Sequence, residues 1–456
     1  MSRISPDISL FFLRLLLITA ASITNLALSE VAADEAAAKL LVTPDPKIVS
    51  ETAYKMSIEG QVIIPDANGD RKLPLVSNGT FKFQQRQFLN GDANPNSLRA
   101  IRQFSLAGTT TKVGSDHVTK VSLSPEFQTL HAFGDDNRLL FVSPRYLIPR
   151  RQLDLLQLPF DPLVLNSTLP TGEVKVDDKW NTDFWQVPLL TGMEVVVEQS
   201  TTCTLTSLND NTATITIVGK ISGATVGSAS NVSFSGEIQV DRKAGLIISF
   251  VGQQKEKRIP GPVSPGLNVT ANIRWTQTID RTRTSIPVTM NSQVPSARQQ
   301  MLLLQTPLKL QIQHSREWHL FHETPTVLMM RQLREGSLIS QFNLTTAVTV
   351  SPGDHTPDRE FLTDVTETVA ERKGKVISET TTRDDTAWRI RHVKAVGDAS
   401  GDVILWDYYL CTAKTGEQFS IVFSHSKKDD ELFGDEANQI LESMQVVAPQ
   451  NTPPVR

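Results

Sequence analysis

Thr212-Ala213-Thr214-Ile215-Thr216-Ile217 places threonines on one side of the chain and Ala213, Ile215 and Ile217 on the other. A period of two is the mark of a half-buried β-strand. Downstream, Glu237-Ile238-Gln239-Val240-Asp241 runs through Arg242-Lys243-Ala244-Gly245 into Leu246-Ile247-Ile248-Ser249-Phe250-Val251. Two alternating runs around a short Gly-containing turn predict a hairpin. Residues 253–265 are charged, then rich in Pro and Gly, and a strand pattern resumes over 268–278. Upstream, Tyr54, Met56 and Ile58 share one face, and Gly60 marks a bulge before Val62 and Ile64. One short helix is expected over 149–158, carrying Leu153, Leu155, Leu156 and Leu158 and stopped by Pro159 and Pro162.

The 456 residues suggest two or three domains, and 39% hydrophobic content suffices for real cores. A formal net charge of -4 with no basic stripe argues against a nucleic-acid binder. The densest basic group, Arg145, Arg150 and Arg151, lies beside Pro144 and Pro149 and reads as a solvated loop. Residues 1–29 have the three-part pattern of a secretory signal peptide: Arg3 and Arg14, an uncharged run from Leu15 to Ser29, and small residues at Ala27-Leu28-Ser29 or Val31-Ala32-Ala33 for cleavage. No later stretch is long and apolar enough to cross a membrane, so a secreted or periplasmic protein is expected. Residues 30–50 read as a flexible leader, 51–284 as a β-rich domain, 285–312 as a linker, 313–448 as an α+β domain and 449–456 as a disordered tail.

In the last third, Val327–Leu333 and Leu338–Val350 bracket Glu335-Gly336 as a hairpin would. Thr356 and Pro357 open a helix whose apolar face is Phe361, Leu362, Val365 and Val369. Strand-like runs follow at 375–382, 387–396, 403–413 and 417–425, then a helix at about 430–444. Glu317-Trp318, the run from Gly336 to Phe342, the helix from Pro357, and Trp406-Asp407-Tyr408-Tyr409 running to Gly416 give an order that resembles the PsbP-like, Mog-type and DcrB-like α/β/α sandwich. The resemblance implies a non-catalytic role in assembly or partner binding. Val174-Lys175-Val176-Asp177-Asp178-Lys179-Trp180 resembles uncharacterised exported bacterial β domains, and the sheet is similar to the open half-barrels of LolA-like lipid carriers. The expected fold class is therefore α+β: an antiparallel, open or half-barrel β domain followed by a smaller α/β/α sandwich.

His314, His319 and His322 cluster with Glu317 and Glu323, but the spacing is not H-E-x-x-H. On a strand, His319 and His322 would point to opposite faces. Asp407 interrupts an apolar strand and reads as the partner of Arg389 or Arg391 on a neighbouring strand. Cys203 and Cys411 have no adjacent base; an oxidising compartment permits one disulfide, but buried free thiols are expected. Asp66-Ala67-Asn68-Gly69-Asp70 reads as a turn rather than a calcium loop, and the glycines of the Gly261–Gly266 stretch as a surface loop. Asn78, Asn166, Asn231, Asn268 and Asn343 sit in N-x-[ST] triplets.

The expectation is a non-enzymatic exported protein that binds a protein or cell-envelope partner, with no catalytic, cofactor or metal residues assigned. One alternative is a carrier of a lipid or other hydrophobic ligand in the N-terminal β domain. Another is a metal-dependent hydrolase built on His314, His319 and His322.

Overall fold

The alternating runs form strands that join across very distant parts of the chain. The computed structural model describes residues 37–40, 47–66, 69–88, 94–135, 138–280, 285–291, 293–399 and 401–447. The expected signal peptide and the C-terminal tail from residue 449 lie outside them, as does most of the expected leader.

The larger sheet has 12 strands. In chain order its principal members are β1 (Val49–Ile64), β2 (Arg71–Gln87), β3 (Arg99–Val113), β4 (His117–Ser122), β5 (Thr129–Asp135), β6 (Arg138–Val142), β7 (Lys179–Asn181), β8 (Val195–Leu208), β9 (Thr212–Thr225), β10 (Ser228–Asp241), β11 (Leu246–Arg258) and β12 (Gly266–Asp280). Their spatial order is β7-β8-β9-β10-β11-β12-β1-β2-β3-β5-β6, with β4 added beside β3. Every neighbouring pair is antiparallel. The predicted hairpin at Arg242–Gly245 joins β10 to β11, with Asp241 opposite Leu246.

Register turns the alternation into one core. Leu205, Ile215, Ile238, Phe250, Trp275, Tyr54, Phe81 and Ala107 face one another in a single row across β8, β9, β10, β11, β12, β1, β2 and β3. All are buried. Each large apolar side chain sealed this way contributes about 1.5–3 kcal/mol.

This inner side is filled by the chain itself. Between β6 and β8 lie α1 (Arg150–Leu155), α2 (Pro162–Leu165) and α3 (Gln186–Thr191). Leu153, Leu155, Leu163, Val164, Leu165, Val187, Leu189 and Leu190 belong to the same apolar cluster as the sheet row. Asp161 caps α2, its Oδ1 accepting from the Leu163 N–H at 2.9 Å, with Pro162 at the first helical position. Gly192 ends α3 at φ 74°, a left-handed conformation that suits glycine. Phe160, between α1 and α2, is wholly buried at φ 52°. Its ring stacks on Phe250 at 4.7 Å and meets Phe234 edge-on at 5.0 Å. Its carbonyl accepts from Trp275 Nε1 at 3.0 Å, and the Pro159 carbonyl from the Tyr54 hydroxyl at 2.8 Å.

The remaining chain builds a seven-stranded antiparallel sheet: β13 (Trp318–Glu323), β14 (Val327–Arg334), β15 (Ser337–Thr346), β16 (Lys375–Asp384), β17 (Trp388–Ala399), β18 (Asp402–Ala413) and β19 (Gln418–Ser426), ordered β13-β14-β15-β19-β18-β17-β16. Glu335 and Gly336 both have positive φ at the β14–β15 turn, the conformation a two-residue hairpin favours.

The expected α+β class with a C-terminal α/β/α sandwich is overturned. Among the described residues the protein is mostly β, with 57% strand and 15% helix. One helix of real length, α4 (Asp358–Glu371), covers one face of the smaller sheet with Phe361, Val365 and Val369. The opposite face is covered in part by strand residues Leu310 and Ile312, from a separate four-stranded sheet. The helix expected over 430–444 is broken into Asp430–Phe433 and Glu436–Glu442 by Gly434 at φ 55°. Within the stretch read as a linker, Leu302–Gln305 pairs with Leu310–His314 and with Ile148–Pro149. Among the described residues no helix is long and apolar enough to cross a membrane.

Candidate functional site

The histidines singled out by the sequence lie where the C-terminal strands meet α1. His319 is on β13, which carries a bulge between Leu320 and His322. His319 Nδ1 accepts from Arg150 at 2.9 Å, so a guanidinium takes one of the two ring nitrogens and sets a positive charge beside the imidazole. His314 Nδ1 donates to the Ser315 carbonyl at 2.8 Å. Among the described residues no group of three or more His, Cys, Asp or Glu is placed to hold a metal ion.

What the cluster builds is a clasp. Arg150 pairs with Asp154 at 3.0 Å and donates to the Arg316 carbonyl at 2.7 Å. Arg316 answers from the other side, donating to the Phe141 carbonyl at 2.6 Å and the Gln300 carbonyl at 3.0 Å. Arg151 meets Glu323 at 3.3 Å, and Arg331 donates to the Pro262 carbonyl. Trp318 Nε1 and Ser315 Oγ both donate to Glu436. The solvated-loop reading therefore gives way to an anchoring role for Arg150, while Arg145 and Arg151 stay solvent-exposed.

Burial, with Arg150 adding repulsion, pulls His319 down to about 3. Burial pulls His314 down to about 4, opposed by its bond to Ser315 and helped by Arg150. Both imidazoles are thus neutral in the folded protein at neutral pH. The unfolded chain takes up their protons near pH 6.5, before the folded chain does. Their contribution to stability is therefore full above about pH 6.5 and is lost as pH falls toward 4. Asp154, Glu194 and Glu436, raised chiefly by burial, act in the opposite sense at lower pH. The melting temperature is expected to fall between pH 7.5 and 5.5, and to fall less in His314→Leu/His319→Leu. An equal slope in both proteins would contradict the assignment.

Asp407 pairs with His392 Nε2 at 2.7 Å, not with an arginine. Asp407 shares a sheet face with Lys394 opposite and His392 diagonal to it. Arg389 and Arg391 point to the other face and pair with Asp358. His392 stacks on Tyr409 at 4.4 Å, which closes the pair off as a structural contact. Cys203 and Cys411 are free and buried, and burial pushes the Cys203 thiol up to about 12. In the calcium-like stretch the Gly69 N–H donates to the Asp66 carbonyl, and Ala67 and Asn68 lie outside the described residues. The Gly261 N–H donates to the Ser264 carbonyl, closing a turn. Asn166 is buried against Gln87, whereas Asn78, Asn231 and Asn268 are exposed on the large sheet.

A concavity lies on the outer face of the large sheet, opposite the filled side. It has a volume of about 410 Å³ and runs over β8, β9, β10 and β11. Ser200, Thr202, Ser233 and Ser235 give it a low hydroxyl-bearing floor, and Lys220, Lys255 and Gln253 rise around it. This is the threonine side of the strand that opened the sequence reading, continued past Val218 to Lys220. Sequence reasoning missed it because four strands supply it, and only their register places these residues together.

No family model matches the chain, and no curated protein matches it. Solved structures are similar only at a distance. A protein of Bacteroides thetaiotaomicron is 10% identical over 31% of this chain and 47% of its own, with a TM-score of 0.23. Lipovitellin, in a structure describing its lipid–protein interactions, is 13% identical over 57% of this chain and 29% of its own, with a TM-score of 0.30. DynF, from the dynemicin pathway of Micromonospora chersina, is 6% identical over 56% of this chain and 92% of its own, with a TM-score of 0.13. The chain thus matches less than half of the length of the first two, and at these scores none of the three defines its fold.

Proposed function

We propose that this protein is a non-enzymatic, extracytoplasmic scaffold that binds a cell-envelope partner through the outer face of its large sheet. The observation that carries the reading is the contrast between the two faces. The inner face is packed with α1, α2 and α3, while the outer face is mostly polar, with Val76, Leu106, Val218 and Val251 exposed among the polar residues, and holds the groove. The secretory pattern of residues 1–29 supports the compartment. The pinning of His314, His319 and Asp407 in structural contacts supports a role without catalysis.

A second reading, carriage of a hydrophobic ligand, has one observation in its favour. Beyond the filled part of the inner face, Ile58, Ile64, Leu73, Leu75 and Val113 are only half-buried. Co-sedimentation with the envelope fraction of the cells that make the protein, followed by lysine acylation mapping, tests the first reading. Native mass spectrometry of gently purified protein tests the second. A scaffold sediments with the envelope and flies at the mass of its signal-cleaved chain; a carrier brings a ligand with it.

A further inference from the structure

We infer that the groove over β8–β11 binds an acidic, hydroxyl-rich polymer, a glycan bearing carboxylates, laid across the strands. The inference rests on the scaffold reading and names the chemistry of its partner.

The groove is lined by parts of two parallel rows. In one row, Ser200, Lys220, Ser233, Lys255 and Thr270 face one another across β8, β9, β10, β11 and β12. Lys220 and Lys255 stand two strand spacings apart there, roughly 10 Å. Neither makes an ion pair among the described residues, whereas Lys82, elsewhere on the same sheet, is held by Glu51 at 2.8 Å. In the second row, Thr202, Val218, Ser235, Gln253, Asn272, Ser57, Asn78 and Thr110 continue across β12, β1, β2 and β3. Gln253 Nε2 already donates to Asn272 Oδ1 at 3.0 Å, so the ladder of amides is ordered before any ligand arrives. From Ser235 to Thr110, beyond the break at Val218, hydroxyl and amide groups thus repeat about every 4.8 Å at right angles to the strands.

A polymer with repeating hydroxyls matches that ladder, and carboxylates match the two free ammonium groups. The same surface is poorly suited to other ligands. Phe234 is the one aromatic residue of the lining, and its ring is buried on the inner side against Phe160. Bases and neutral sugar rings therefore find no stacking platform. The floor is too polar for an acyl chain.

Polygalacturonate oligomers are the probe, with dextran as the neutral control and polyphosphate as the control for charge alone. The wild-type protein is expected to bind polygalacturonate in a salt-sensitive way and to bind dextran weakly or not at all. Lys220→Ala/Lys255→Ala is expected to weaken binding about 10- to 100-fold, the range of one or two charged hydrogen bonds. Lys220→Arg/Lys255→Arg should retain binding, and Lys375→Ala on β16 should change nothing. Ser233→Trp fills the groove without removing a charge and should also abolish binding. Equal affinity for polyphosphate, or full binding by both Lys220→Ala/Lys255→Ala and Ser233→Trp, would overturn the inference. If the wild-type protein ignores polygalacturonate but still sediments with the envelope, the glycan assignment falls and the scaffold reading stands.

Discussion

Arg102→Met is expected to cost about 3–5 kcal/mol of stability, read as a large drop in the urea midpoint. Arg102 is wholly buried under the large sheet. Its guanidinium takes Asp161 in a fork, at 2.7 and 2.5 Å, and donates from Nε to Gln85 Oε1 at 2.6 Å. Phe83 and Phe141 close over it at 4.7 and 5.3 Å. A pair this dry is costly to assemble, and replacing it by apolar groups is often neutral. Breaking it from one side is different, because the Asp161 carboxylate is left buried and uncompensated. Arg102→Met/Asp161→Leu should therefore recover most of the loss. About 1 kcal/mol should stay lost, because Asp161 also caps α2. If the single substitution costs less than 1 kcal/mol, the buried fork is not what fixes the inner segment.

Phe160→Ala should be comparably damaging, at about 3–5 kcal/mol. The ring is the wedge between Phe234 and Phe250, and its backbone ties the inner segment to both the sheet and α3. The Phe160 N–H donates to the Leu190 carbonyl at 2.8 Å, while its own carbonyl accepts from Trp275. A bulky residue at φ 52° costs energy that the packing must offset. Removing the ring leaves an apolar void, and such voids stay dry and accept small hydrocarbons. Benzene is expected to raise the melting temperature of Phe160→Ala and to leave the wild type unchanged. Stabilisation of the wild type to the same degree would mean that the inner face is already open.

Much of the strand content could be read from local alternation, since Ala213, Ile215 and Ile217 point inward because every second side chain must. Sheet membership could not be read this way. β12 pairs with β1, more than two hundred residues earlier, and no local pattern names a partner at that distance. The sequence suggests a helix layer on each side of the smaller sheet because Leu310-Gln311-Ile312, a strand that covers it in part, reads equally well as a connector. Asp407 stands out in the sequence as a carboxylate in an apolar strand, but its partner is named only by face parity, which places Arg389 and Arg391 on the other side and His392 beside it. His319 was visible as a candidate, yet what decides its chemistry is Arg150, 169 residues away in the chain. The groove residues carried no motif at all. Lys220 and Lys255 become a pair only once Ser233 is seen to lie between them.

The central claim is that partners meet this protein on the side of the large sheet that its own helices leave bare. Lysine acylation, mapped by mass spectrometry with and without bound envelope, tests it directly. Lys220 and Lys255 should lose reactivity on binding while Lys375 keeps its own. Unchanged labelling at Lys220 and Lys255 in protein that has demonstrably bound would contradict the account.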